Sequence, residues 1–216
     1  VINILKERDG ILVENPEQAM ENIFQSAYSE VMVQPLHVIG GIEYEKLLLA
    51  ISPYKAKFTR LSIGCPLLTN DVDFEAVVQA ICSKFPNLTS DEAVVLMGHG
   101  SNHQANNVYS TLDKCFKDRG YSQFRIATVE GLPLLASIIP KLKVDNIRKV
   151  ILMPLMLVVG DHARNDMAGD GVESWKSVLE SEGFSVEIHM VGLGEMESIH
   201  QVYSSHIHAA LDNKAI

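Results

Sequence analysis

The chain has 216 residues, a formal net charge of −9, 47 % hydrophobic and 21 % charged residues. This composition excludes a disordered or fibrous chain, and the acidic balance excludes the basic face that a nucleic-acid binder needs. No apolar run reaches the roughly 18 residues of a membrane span. Three widely spaced cysteines, Cys65, Cys82 and Cys115, make neither a disulfide framework nor a Cys-x-x-Cys metal knuckle, which points to a reducing compartment. Residue 1 is Val, with no basic stretch leading into an apolar one. The expected location is cytoplasmic, and a removed signal peptide stays open.

In chain order, near-continuous apolar runs at 31–39, 58–63, 93–97, 124–129, 150–159 and 185–191 read as buried strands. Helical periodicity lies between them. Ala105, Val108, Leu112, Cys115 and Phe116 share one face, and Leu135, Ile138, Ile139 and Leu142 another; 195–211 also reads as a helix. This alternation predicts an α/β chain with parallel sheets flanked by helices. An internal repeat refines it. Val33-Gln-Pro-Leu-His-Val-Ile-Gly40 resembles Leu152-Met-Pro-Leu-Met-Leu-Val-Val-Gly160, with the prolines 119 positions apart. Two such halves predict a pseudo-symmetric pair of Rossmann-like domains with a cleft between them. The polar stretch 87–92 divides them into 1–90 and 91–216, with the last helix expected to pack back on the first domain. The repeat places a counterpart of strand 93–97 upstream of Val1, so a first strand and helix are expected to be missing.

Three strand ends carry chemistry. Val94-Val-Leu-Met-Gly-His-Gly-Ser101 runs a strand into Gly98-His99-Gly100, and Ser101 with Gln104 fits a capping box. The flanking glycines let the backbone turn and leave the His99 ring open to a ligand. Val158-Val-Gly-Asp-His-Ala-Arg-Asn-Asp-Met-Ala-Gly-Asp170 follows another strand and presents His162 with Arg164 and three aspartates. It is not a calcium loop, because Ala168 stands where an oxygen ligand is required. Thr128-Val-Glu-Gly-Leu-Pro133 ends a third strand at Glu130. Two histidines and a carboxylate suit Zn²⁺, Co²⁺, Ni²⁺ or Fe²⁺ and can leave coordination positions open. His37 is a further candidate from the repeat, whereas His189, His200, His206 and His208 read as solvated or capping side chains. Neither a complete dinucleotide-binding glycine fingerprint nor a phosphate-binding P-loop is present.

These residues resemble the small cobalt chelatases of the anaerobic cobalamin pathway, class II chelatases related in fold to protoporphyrin ferrochelatase. The resemblance runs through 33–39 with Glu43 to Lys46, Met97-Gly-His-Gly100 with Asn106 and Tyr109, Glu130-Gly131 with Pro133, and 154–170 with Trp175. It implies sirohydrochlorin as substrate, Co²⁺ as substrate metal, His99, Glu130 and His162 as metal ligands, and a homo-oligomer. No organic cofactor is expected. His99 and His162 are the expected proton acceptors, since a neutral imidazole can take a pyrrole proton near neutral pH. His37, Gly98, Ser101 and Arg164 are the candidate substrate contacts. The same ligands also permit a ferrochelatase or nickel chelatase, a non-catalytic tetrapyrrole or metal carrier, or a small-ligand module without metal.

Overall fold

The computed structural model describes Gly10 and residues 12–212. Helix α1 (Pro16–Gln25) opens on a reciprocal capping box: the Gln18 N–H donates to Asn15 Oδ1 at 2.8 Å and the Asn15 N–H to Gln18 Oε1 at 3.0 Å. Strand β1 (Glu30–Val33), helix α2 (Ile42–Ile51), strand β2 (Arg60–Ile63) and helix α3 (Asp71–Cys82) follow. The second half runs β3 (Glu92–Gly98), α4 (Asn107–Asp118), β4 (Phe124–Thr128), α5 (Leu135–Val144), β5 (Lys149–Pro154), α6 (Trp175–Ser181), β6 (Ser185–Ile188) and α7 (Glu197–Leu211). A π-helical turn, His162–Met167, lies between β5 and α6.

Among the described residues the strands form two parallel sheets, β1–β2 and β4–β3–β5–β6. Alternate residues of the larger sheet feed opposite faces, as the two-residue period of a strand requires. Val94, Leu96, Ile151 and Met153 pack with Phe74 and Val77 of α3, Leu112 and Phe116 of α4 and Ile199 of α7. Val95, Met97, Val150 and Leu152 pack with Leu135 and Ile138 of α5 and Trp175 and Leu179 of α6. A third, smaller cluster of Met20, Ile51, Tyr54 and Phe58 joins α1 and α2 to the two-stranded sheet.

The strands expected over 31–39 and 150–159 end at Val33 and Pro154. Proline has no N–H to give to a ladder, and both repeats leave the sheet around it. They leave it in the same way. The His37 and Val38 carbonyls accept the Leu67 and Leu68 amides at 2.9 and 3.0 Å. The Met156 and Leu157 carbonyls, 119 positions on, accept those of Leu193 and Gly194, both at 2.8 Å. Helices α1 and α5 begin at the same spacing, at Pro16 and Leu135, and α3 and α7 each follow the donating segment. The repeat is therefore a repeated supersecondary unit.

Helix α7 packs on α3 and β2. Its Tyr203 hydroxyl donates to the His37 carbonyl at 3.2 Å. Its His206, expected to be solvated or capping, is 2 % exposed. The ring lies between the Cys65 carbonyl at 3.2 Å and Asp73 Oδ1 at 2.9 Å. The helical period alone did not show which face of this helix meets α3. No described helix is long and apolar enough to cross a membrane.

Candidate active site

Parallel strands point their carboxyl ends the same way, and loops leaving neighbouring strands meet there. His99 directly follows β3, Glu130 lies two residues beyond β4, and His162 opens the turn after β5. These are adjacent strands, in the order β4–β3–β5, so side chains 63 positions apart in the chain converge. His99 Nδ1 is 3.9 Å from Glu130 Oε2. The His99 and His162 rings stand edge to face at 89°, centroids 4.7 Å apart. One ligand atom from each of the three residues lies within 4.8 Å of the others. Their side chains are 52, 59 and 35 % exposed. An N₂O donor set this open leaves positions for a second ligand around a divalent ion.

The backbone holds this set tightly. The Glu130 N–H donates to the His99 carbonyl at 2.8 Å, and the Val129 N–H to that of Gly98 at 3.1 Å. Gly100 has φ +82°, and a Cβ there would sit 2.7 Å from the Gly131 nitrogen, so only glycine fits. Gly98 packs on Tyr109, whose ring carbon would lie 2.5 Å from an added Cβ. Burial pushes the Tyr109 phenol pKa up. Asn106 ties the two loops together: its Oδ1 accepts the Ser101 N–H at 3.0 Å and its Nδ2 donates to the Leu132 carbonyl at 2.7 Å. His99 Nδ1 lies 3.0 Å from the Gly100 carbonyl. A carbonyl only accepts, so Nδ1 is the donor in this contact.

The other candidates are spread around this centre. Ser101 lines an open cleft of about 720 Å³ together with His103, Asn106, Glu130 and Leu132. The capping box expected at Ser101 and Gln104 does not form. Ser101 Oγ accepts the His103 N–H at 3.0 Å, and His103 caps a short 3-10 turn (Gln104–Asn106) ahead of α4. Arg164 is exposed, with Nε 3.4 Å from the Val159 carbonyl. His37 is half-buried beyond β1, its ring edge-on to Tyr44. Burial lowers its pKa, against the pull of Glu43, and its Nδ1 has no partner among the described residues. Asn106, His103 and Asp166 took no part in the expected site. His103 Nε2 is 3.2 Å from Glu45 Oε1 of α2, a contact between the two halves beside the cleft. Asp166 Oδ2 is 2.5 Å from His162 Nδ1; its spacing of four residues from His162 was the available signal.

Comparison with known proteins identifies the family and the fold. A family model described as "Cobalt chelatase (CbiK)" matches residues 1–212. The sirohydrochlorin cobaltochelatase of Salmonella typhimurium is 38 % identical over 212 residues, 98 % of this chain and 80 % of that protein. The sirohydrochlorin cobaltochelatase CbiKC of Nitratidesulfovibrio vulgaris is 35 % identical over 209 residues, 95 % of this chain and 72 % of that one. SirB from Bacillus subtilis with Fe³⁺ shares the fold at a TM-score of 0.65 and 17 % identity, covering 91 % of this chain and 77 % of that one. A cobalt complex of the sirohydrochlorin chelatase SirB from Bacillus subtilis subspecies spizizenii gives 0.61 at 14 %, covering 94 % and 78 %. The chain belongs to the cobalt chelatase family.

Proposed function

We propose that this chain inserts Co²⁺ into sirohydrochlorin, the substrate and metal in the names of its relatives. The observation that carries this reading is the convergence of His99, Glu130 and His162 at three adjacent strand ends beside an open cleft. Insertion exchanges two pyrrole protons for one divalent ion, with no electron or group transferred. The balance therefore needs metal ligands and proton acceptors, and no organic cofactor. His99 and His162 serve both needs: each imidazole delivers the ion or accepts a pyrrole proton at a free ring nitrogen. Glu130 completes the ion's shell and keeps the set labile, since it contains no thiolate. Removal of the ion to the ring is as necessary as its binding, and an exposed three-donor site permits both.

The macrocycle lies over the triad, beside the open cleft that Ser101, His103 and Glu130 line. Arg164, exposed beside His162, meets its carboxylates against the overall negative charge, while Ser101 and His37 line its approach; Gly98 is buried against Tyr109 and serves the turn instead. The division into domains 1–90 and 91–216 puts His37 and the triad on opposite halves. A homo-oligomer, on the family resemblance, and a cytoplasmic location, on the cysteine usage, complete the proposal.

The test is anaerobic insertion followed by the visible spectrum of sirohydrochlorin with Co²⁺, against a protein-free control. Acceleration is expected, and His99→Ala and His162→Ala should each lower it by about 10²-fold or more. Ring binding without faster insertion would overturn the chelatase reading in favour of a carrier. Parallel runs with Fe²⁺ and Ni²⁺ rank the metals, which this donor set accepts in common.

A further inference from the structure

The geometry points to Asp166 as the positioning residue of the site: its carboxylate fixes the tautomer and aim of the His162 ring so that Nε2 faces the metal. This rests on the reading of His162 as a ligand. The π-helical turn provides the frame. Ala163 and Met167, four residues apart, are buried in the core beneath the sheet and anchor the turn. His162 and Asp166, also four apart, stand one step round on the open side, and their side chains meet at 2.5 Å. The turn closes through the Ala168 N–H to the Ala163 carbonyl at 3.2 Å and the Gly169 N–H to that of Asn165 at 3.1 Å. Gly169 is needed for this closure, because an added Cβ would lie 2.3 Å from the Asn165 oxygen. The backbone thus fixes both members of the pair before any ion arrives.

An ionised carboxylate only accepts hydrogen bonds, so Asp166 selects the Nδ1–H form of His162 and leaves the Nε2 lone pair free. The same contact puts negative charge behind the ring, which makes the free nitrogen a better donor to a cation. His99 obtains the same tautomer from the neutral Gly100 carbonyl. The two histidines therefore differ: His162 has a charged orienting partner, and His99 a neutral one.

The experiment measures the tautomer of His162 by ring-nitrogen NMR in the metal-free chain, identifying the signal with His162→Ala, and then Co²⁺ affinity by equilibrium dialysis. The unmodified chain should show Nδ1–H. Asp166→Ala should mix the tautomers and weaken Co²⁺ binding about 10- to 100-fold. Asp166→Asn should keep Nδ1–H through its amide oxygen and weaken binding less, because it loses the charge and keeps the acceptor. Asp166→Asn also supplies the reading if the alanine variant fails to fold. Unchanged tautomer and affinity in both variants would overturn the proposal. If the unmodified chain takes up no Co²⁺ but Asp166→Ala still mixes the tautomers, the orienting role stands and the metal-site reading fails.

Discussion

Gly100 shows how much a single backbone position contributes to the site. Its φ of +82° is one constraint, and the 2.7 Å approach to the Gly131 nitrogen is a second. Gly120 has nearly the same φ, +83°, with nothing within 4 Å of an added Cβ. The pair separates conformational strain from steric conflict. Gly120→Ala should cost about 1–2 kcal/mol, the left-handed penalty alone. Gly100→Ala should exceed it by at least about 1 kcal/mol, because backbone rather than a flexible side chain must move. Urea unfolding of both variants checks the difference. Gly98-His99-Gly100 was legible as an exposing turn, and the structure gives its two glycines different duties: Gly98 admits the Tyr109 ring, and Gly100 admits the loop that carries Glu130.

At the scale of elements, the site depends on how two loops are joined. Asn106 sits in the 3-10 turn after β3 and bonds to both the Ser101 amide and the Leu132 carbonyl. Removing it leaves the partly buried Ser101 N–H unpaired, at a cost of about 1–3 kcal/mol, and returns the exposed Leu132 carbonyl to water. Asn106→Ala should lower cobalt insertion by more than it lowers stability, since His99 and Glu130 lose their common register while the sheet beneath stays intact. Insertion rates compared with unfolding midpoints test this. The helical face of 105–116 was readable from its period, whereas the 3-10 entry was not. Ser101 and Gln104 satisfy the capping-box pattern, but His103 takes the cap. The ends of β1 and β5 follow the same logic: the apolar pattern extends past Pro35 and Pro154, and the strand ladder does not.

Across the whole molecule, His206 joins the last helix to α3 and to the loop after β2. Both neighbours of the ring accept hydrogen bonds, the Cys65 carbonyl and the Asp73 carboxylate, so these contacts favour the charged ring. Burial opposes that charge, but the Asp73 carboxylate and the Cys65 carbonyl outweigh it and hold the His206 pKa above its ordinary 6.5. A pKa raised by folding stabilises the folded state fully below the unfolded value. That contribution is lost as pH rises through the folded value. The unmodified chain should therefore lose stability above neutral pH relative to His206→Gln, in which this dependence is absent; urea midpoints between about pH 5.5 and pH 9 measure it. His206→Ala should cost about 3–5 kcal/mol near neutral pH, because the Asp73 carboxylate stays buried without its hydrogen-bonded partner.

Period and composition were enough to establish alternating strands and helices, the parallel sheets and the repeat, because burying an apolar face is a local demand written into each segment. Strand-end glycines likewise marked His99, Glu130 and His162 one at a time. Their convergence required the strand order β4–β3–β5, which no single segment encodes. The partners of His103 and His206 were set in the same way, by elements packing from distant parts of the chain, whereas Asp166 reaches His162 within one turn. A histidine's chemistry depends on which acceptor faces each ring nitrogen, and only the tertiary structure decides that.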